Sequence, residues 1–190
     1  MGIIKNNKLP KKLTYMFIGA HPDDADIEFG GTAILLKQLG HHIIYVSMTN
    51  GDAGHQTMDR VELAKRRKQE AAKVADFLDI EYIIGDNHDG ELTASIENRE
   101  KLIRLIRTKK PNVIITHRPN DYHADHRNTS LLVQDSAYLI SVPLICKDTK
   151  RLDYNPYIFY HQDDFKKPNA FSPRIIIDIG EVIDKKMQAL

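Results

Sequence analysis

The sequence has little of what a disulfide-bonded, membrane-spanning or nucleic-acid-binding protein needs. It contains one cysteine, Cys146, and no tryptophan, so an internal disulfide and a cysteine-rich zinc finger are excluded. Apolar runs end after about four or five residues, far short of the roughly 20 that span a bilayer. The 27 Lys and Arg nearly cancel the 26 Asp and Glu, which gives no electrostatic reason to expect nucleic acid or an anionic membrane as a partner.

What is present is the composition of an ordinary globular domain. Hydrophobic residues make up 42% and charged residues 28% of the 190 positions, which excludes a disordered tail and favours a single domain over residues 1–190. The N-terminus, from Met1 to Lys12, is basic but lacks the apolar stretch of a signal peptide. Together with the lone cysteine, this predicts a cytoplasmic protein.

Short apolar runs alternate with segments of helical spacing along the chain. Strands are predicted at 15–19, 43–48, 81–84 and 112–116. Helices are predicted between them, at 26–39, at 58–78 and after the N-cap Ser95. This order predicts an α/β fold in which two layers of helices cover a mostly parallel sheet. Further strands are expected at 157–160 and 174–178, with a helix starting near Glu181.

Two groups of metal-type ligands follow predicted strands. The segment His21–Asp24 comes directly after the first strand, and His123–His126 lies in a polar loop after the fourth. Ligands in open α/β sheets bind outside the carboxyl ends of the strands, where both groups are expected to lie.

The chemistry of these side chains suits a catalytic metal ion. His21 and Asp24 can approach one ion from a single turn that Pro22 stiffens. A third ligand from the distant loop would complete a site with one open position, and imidazole with carboxylate suits Zn²⁺ or another divalent first-row ion. Asp23 would then remain free to act as a general base.

The same residues also have structural interpretations. Asp23 and Asp24 can serve as a helix N-cap pair, and 123–126 can be a solvated polar turn. Two rival classes follow: a nucleotide-binding α/β protein, and a non-catalytic protein stabilised by its metal. The first lacks the expected G-x-G-x-x-G after the opening strand. The second would have no need of a spare carboxylate at Asp23.

Four segments resemble motifs of the PIG-L/LmbE-like zinc-dependent N-deacetylases. Ala20–Asp24 followed by Gly30-Gly31-Thr32 resembles that family's signature, and Pro119–His126 resembles its second motif. Thr49–Gly54 is similar to its Thr-x-Gly-x-x-Gly loop, and Arg67–Ala71 to its Arg-x-x-Glu-Ala helix. The first two motifs together are specific, and the similarity runs from about residue 14 to residue 132.

The resemblance implies a role for each matching residue. The metal, Zn²⁺ or another divalent first-row ion, would be bound by His21, Asp24 and His126. The catalytic residues would be Asp23 as general base, His123 as acid or oxyanion stabiliser, and Asp125 as the residue that orients His123. Substrate contacts would come from Asn50, Asp52 and Arg67. A turn role for Asn50 and a pairing of Arg67 with Glu70 stay open as alternatives.

The resemblance also implies a Rossmann-like three-layer fold and an activity. We expect a hydrolase that removes the acetyl group from an N-acetylglucosamine-type sugar or glycoconjugate, with no nucleic-acid partner and with self-association into a homo-oligomer open. The family's last helix usually continues beyond the Lys186–Ala189 match, so a single deacetylase domain shortened at its C-terminal end is expected. His161 is interpreted as a surface residue.

Overall fold

A five-stranded sheet forms the centre of the computed structural model, which describes residues 12–190. The strands are β1 Thr14–Gly19, β2 His42–Thr49, β3 Glu81–Asn87, β4 Val113–Thr116 and β5 Tyr157–Tyr160. They run in the order β3-β2-β1-β4-β5, and every pair is parallel. The predicted α/β fold with a parallel sheet is thereby confirmed.

Six α-helices connect or follow the strands. They are α1 Asp24–Glu28, α2 Gly30–Gln38, α3 Arg60–Leu78, α4 Ile96–Lys109, α5 Ala124–Leu139 and α6 Ile183–Ala189, the last preceded by a 3-10 turn at Gly180–Val182. Side-chain hydrogen bonds define where helices α3 and α4 begin. Asp59 accepts a hydrogen bond from the Glu62 N–H at the start of α3, and Ser95 accepts one from Asn98 N–H at the start of α4. Within residues 12–190, no helix combines the length and apolar character that crossing a membrane requires.

Helices cover both faces of the sheet because successive strand residues point to opposite sides. On β1, Met16 and Ile18 join the core that α4 and α5 cover, while Phe17 belongs to the core beneath α2. Strands buried on both faces are apolar at every position, and for that reason they were visible in the sequence as continuous runs.

The sheet has a switch point between β1 and β4. From β1 the chain proceeds through β2 to β3 on one side, and it then returns to add β4 and β5 on the other. The loops after β1 and β4 therefore leave the same edge in different directions and form a crevice between them. The two groups of candidate ligands lie in this crevice.

One predicted helix and one predicted polar loop are wrong. The segment 26–39 forms two helices, α1 and α2, which meet at Phe29, and α1 starts at Asp24. The segment 124–139, expected to begin as a polar loop, is helix α5, so Asp125 and His126 lie in its first turn. His123 is the N-cap of this helix.

The strand predicted at 174–178 is also wrong. These residues pair with none of the five strands, and the side chains of Ile175 and Ile176 are 64% and 83% exposed. Three consecutive β-branched residues favour an extended chain locally, but a strand forms only where a partner supplies hydrogen bonds and packing. The predicted strand at 157–160 does find such a partner and is β5, at the edge beside β4.

Candidate metal centre

The turn after β1 folds Asp24 back onto the end of the strand. Oδ2 of Asp24 accepts hydrogen bonds from the backbone N–H groups of Ala20 (2.7 Å) and His21 (2.8 Å). Gly19 permits this approach, since a Cβ at that position would lie 2.8 Å from the Asp24 Cβ. The carboxylate is therefore held in one orientation before any ligand binds.

His126 reaches the same place from the first turn of α5. Its Nε2 lies 3.3 Å from Nδ1 of His21 and 3.6 Å from Oδ1 of Asp24. Nδ1 of His21 lies 3.7 Å from Oδ2 of Asp24. Ligand atoms around a tetrahedral zinc ion are about 3.3 Å apart, given zinc–ligand distances of about 2.0–2.1 Å. The structure thus brings each pair of the three predicted ligands close to this spacing, with Asp24 facing His21 through Oδ2 and His126 through Oδ1.

Carboxylates contact the remaining ring nitrogens of both histidines. Nδ1 of His126 lies 3.0 Å from Oδ1 of Asp121. Nε2 of His21 lies 3.2 Å from Asp89 and 3.4 Å from Asp125. Carboxylates in this position orient a ligand imidazole and raise its basicity. Sequence reasoning gave Asp89 and Asp121 no role, and only their places after predicted strands could have suggested one.

The electrostatic environment favours a positive charge between these residues. Burial alone would lower the pKa of His21, but hydrogen bonds and charges from Asp24 and Asp89 raise it to about 10. Burial would likewise raise the pKa of Asp24, yet hydrogen bonds with His117 and His21 hold it well below its usual value. A field that favours a proton on His21 favours a metal cation for the same reason, so the donor set fits a bound metal ion.

Asp23 is adjacent to the ligands but outside their group. Its carboxylate is 38% exposed and lies 3.3 Å from Nη2 of Arg67 on α3. Arg67 also lies 3.9 Å from Glu70, which is the pairing that the sequence left open. One carboxylate oxygen of Asp23 thus faces the Arg67 guanidinium, and this contact involves none of the three candidate ligands.

The structure corrects the role expected for Asp125. Its carboxylate accepts hydrogen bonds from the N–H groups of Gly90 (2.7 Å) and Leu92 (3.3 Å) and lies beside His21. The hydrogen bond that joins Asp125 to His123 comes instead from the Asp125 backbone, whose N–H donates to Nδ1 of His123. Helix α5 explains this difference, because an N-cap side chain bonds backbone N–H groups of its own first turn.

Two residues expected at the substrate shape a loop. Asn50 accepts a hydrogen bond from the Asp52 N–H, which is a turn contact. Asp52 is buried, and its carboxylate accepts from the Asp89 N–H (2.9 Å) and lies 2.5 Å from Nδ1 of His88. Asp52 therefore holds the loop that carries Asp89 to His21.

A second pair of histidines lies behind the ligands. His117, at the end of β4, is fully buried, and its Nε2 lies 2.9 Å from Oδ2 of Asp24. His161 was expected at the surface, but this is wrong. Its ring packs against Phe17 and its Nε2 lies 3.0 Å from Nδ1 of His117.

A cavity of about 600 Å³ opens beside Asp23, between α3 and the end of α6. Arg67 and Asp26 are part of its wall. Burial raises the pKa of Asp26 to about 7, and the neighbouring carboxylates contribute to the rise. The Tyr82 hydroxyl donates a hydrogen bond to the Pro22 carbonyl (2.5 Å), and this bond connects the turn between β1 and α1 to β3. A ligand in this cavity would lie next to Asp23.

Comparison with known proteins gives a family match and related folds. The model of the family described as PIG-L, GlcNAc-PI de-N-acetylase, matches residues 16–137. A diacetylchitobiose deacetylase from Thermococcus kodakarensis is 28% identical over 184 residues, which are 91% of this chain and 66% of the relative. The chain therefore spans slightly less than two thirds of that relative's length.

Solved structures share the fold. The N,N'-diacetylchitobiose deacetylase from Pyrococcus horikoshii, in complex with its inhibitor MPG, has a TM-score of 0.80 at 28% identity, covering 93% of this chain and 67% of that one. The 4-carboxy-2-hydroxymuconate hydratase GalB from Pseudomonas putida has a TM-score of 0.83 at 21% identity, covering 94% of this chain and 77% of that one. Because one of these enzymes is a hydratase, the fold alone does not decide the reaction.

Proposed function

This chain belongs to the PIG-L (GlcNAc-PI de-N-acetylase) family, and from that premise we propose that it is a zinc-dependent deacetylase of N-acetylglucosamine-type sugars or glycoconjugates. The similarity to diacetylchitobiose deacetylases supports this substrate class. A small acetylated amino sugar would be its partner in the reaction. A homo-oligomeric state and a cytoplasmic location stay predictions.

One observation carries the proposal: three ligand atoms converge while an adjacent carboxylate stays uncommitted. Nδ1 of His21 lies 3.3 Å from Nε2 of His126, and the Asp24 carboxylate lies 3.7 Å from the first through Oδ2 and 3.6 Å from the second through Oδ1. Asp23 is next to them in the chain and is partly exposed. A metal that served only as a structural staple would need no such carboxylate, so this feature favours catalysis over the metal-stabilised alternative.

His21, Asp24 and His126 would hold the metal ion. Imidazole and carboxylate without a thiolate suit Zn²⁺. When bound, a divalent ion of this kind makes water more acidic and polarises an amide carbonyl. Asp121 and Asp89 would support the two imidazoles from behind, at 3.0 and 3.2 Å.

Asp23 would move the proton that amide hydrolysis must transfer. One of its oxygens faces Arg67, which leaves the other free to accept a proton from the attacking water. When the C–N bond breaks, the same carboxyl group can give that proton to the leaving nitrogen. The products are then acetic acid and an amine, which exchange one proton to give acetate and an ammonium group at neutral pH, and Asp23 is a carboxylate again.

His123 would stabilise the oxyanion without needing a positive charge. Its Nδ1 accepts the Asp125 N–H, so the neutral ring carries its hydrogen on Nε2. One ring nitrogen of His123 lies within 4.8 Å of a ring nitrogen of His21 and of His126. A donor held at this distance from the ligands can bond the developing negative charge. Asp125 would act through the 90–92 loop and His21.

The proposal is tested with metal-loaded protein and N-acetylated sugars. We expect N,N'-diacetylchitobiose or N-acetylglucosamine to release acetate and a primary amine in equal amounts. A chelator should stop the reaction and added Zn²⁺ should restore it. A protein that binds zinc but releases no acetate from a panel of N-acetylated sugars would contradict the proposal.

A further inference from the structure

The metal centre continues behind its ligands through two imidazoles. His117 contacts Asp24 through Nε2 at 2.9 Å, and its Nδ1 lies 3.0 Å from Nε2 of His161. The side chains of both are at most 9% exposed. We propose that His161 is a positioning residue: it orients His117, and His117 holds two of the proposed metal ligands. This inference rests on the metal site of the proposed function.

The hydrogen bonds of His161 fix the orientation of its ring. Its Nδ1 lies 2.7 Å from the Gln162 carbonyl oxygen, which accepts a hydrogen bond. Its Nε2 lies 3.0 Å from Nδ1 of His117, and one hydrogen between these two nitrogens joins the rings. Turning the His117 ring by 180° would put carbon atoms at both of its contacts, because the two nitrogens are on opposite sides of that axis. His161 therefore selects one of two ring orientations.

His117 acts on two ligands at once. Its Nε2 contacts Asp24, and its face stacks on His126 with a centroid distance of 3.9 Å and an interplanar angle of 14°. A change in the His117 ring would thus disturb a ligand from the β1 turn together with a ligand from α5. This double contact makes the orientation of one buried ring matter for metal affinity.

Packing and hydrogen bonding by His161 can be separated. The residue follows β5, its backbone N–H donates to Thr116 O, and its ring lies 5.3 Å from the ring of Phe17 at 32°. His161→Phe keeps an aromatic ring in that place and removes the nitrogen that bonds His117. His161→Gln removes the ring and restores an amide group that can donate or accept a hydrogen bond.

His41 provides a matched control at the opposite, amino-terminal end of the strands. Its Nδ1 accepts a hydrogen bond from the Leu13 N–H, and its ring lies 5.3 Å from the ring of Tyr15. It precedes β2, whereas the metal centre lies at the carboxyl ends of the strands. His41→Phe therefore removes a similar hydrogen-bonding nitrogen from a similar aromatic contact, away from the ligands.

The test measures Zn²⁺ affinity by competition with a chromogenic chelator, without substrate. We expect His161→Phe to bind Zn²⁺ about 10-fold more weakly, at the low end of the range for removal of an outer partner. His161→Gln should recover most of that loss, and His41→Phe should match the wild type. Unchanged affinity in His161→Phe, or equal losses in both variants at 161, would overturn the proposal.

A second measurement needs no substitution and covers a variant that fails to fold. In ¹⁵N-labelled, zinc-loaded protein, a coupling across the hydrogen bond between Nδ1 of His117 and Nε2 of His161 is expected, and its absence would overturn the proposal. Zinc binding without hydrolysis would contradict the deacetylase function and leave the role of His161 standing. A wild-type protein that binds no zinc would overturn both.

Discussion

Each of the two proposed ligand histidines uses its ring nitrogens for different purposes. His126 turns Nε2 to the ligand group and Nδ1 to Asp121, while His21 turns Nδ1 to the ligands and Nε2 to Asp89 and Asp125. The backs of both rings are thus occupied by carboxylates. These carboxylates, which are not proposed ligands, thereby orient the ring nitrogens of His21 and His126 that face the proposed metal position.

Asp121 should therefore matter for metal binding although it is not a proposed ligand. Asp121→Asn keeps the shape of the side chain and removes its charge, so His126 becomes a weaker donor. We expect Zn²⁺ affinity to fall about 10-fold or more, measured by chelator competition. Asp79→Asn, at an exposed carboxylate after α3, should leave the affinity unchanged. Wild-type affinity in Asp121→Asn would show that the contact with His126 has no electrostatic role.

Asp23 should matter for turnover and not for the metal. In Asp23→Asn the ligand group is intact, but the amide cannot accept a proton. Loss of a general base lowers the rate by about 10²–10⁴-fold, and we expect kcat to fall in that range while zinc content per chain stays the same. Acetate release and metal analysis on the same preparation check both halves. Turnover close to that of the wild type would remove Asp23 from the base role.

At the scale of elements, Arg107 connects α4 to the end of α5. It is 2% exposed, and its guanidinium donates to carbonyl oxygens of Leu139, Ile140, Val142, Ile145 and Cys146. These carbonyls belong to the last turn of α5 and the loop after it, and all but that of Ile145 also accept a backbone N–H. One side chain thus joins a helix end to the loop that follows.

Replacing Arg107 should destabilise the fold strongly. Arg107→Met fills much of the space but removes the charged donor that these carbonyls share, and we expect the free energy of unfolding to fall by about 1.5–3 kcal/mol in urea titrations. Arg104→Met is the matched control on the same helix. Arg104 pairs with Glu100 and Asp148 at the surface, so its loss should change stability far less than the loss of Arg107. Equal effects of the two variants would contradict this account of Arg107.

The elements also show what the sequence could reveal. Strands β1, β2 and β4 were predictable because burial on both faces leaves continuous apolar runs, and the edge strands β3 and β5 also carry short apolar runs although they are more exposed. Helix α5 was missed because its buried face begins with polar side chains at helical spacing: Asp125, His126, Thr129 and Ser130. The strand at 174–178 was predicted wrongly because local propensity does not report whether a partner strand is present.

The residues of the candidate site also divide into those that the sequence could reveal and those that it could not. The candidate ligands and Asp23 stand in contiguous motifs, and their residue types alone indicated metal chemistry. Asp89 and His161 come to the centre from the loops after β3 and β5, and only the assembled sheet brings them there. Nothing local in the sequence marks such a residue, since its role depends on the register of strands far away in the chain.

At the scale of the whole molecule, metal binding should stabilise the fold because the ligands come from opposite sides of the switch point. An ion bound only by the native state adds RT ln(1 + [L]/Kd), about 2.7 kcal/mol when free zinc is 100 times Kd. Urea unfolding with and without buffered Zn²⁺ measures this gain. His126→Ala should lose most of it, and an unaltered gain in that variant would place the metal elsewhere.

The ligand histidines His21 and His126 are separated by 105 residues of chain. During synthesis the first emerges with β1, and the second follows only after β2, β3 and β4 have been made. No partial product that ends before α5 can assemble the trio, however well its earlier strands have formed. Binding of the ion would therefore occur late in biogenesis, and its time course would report when β4 docks beside β1.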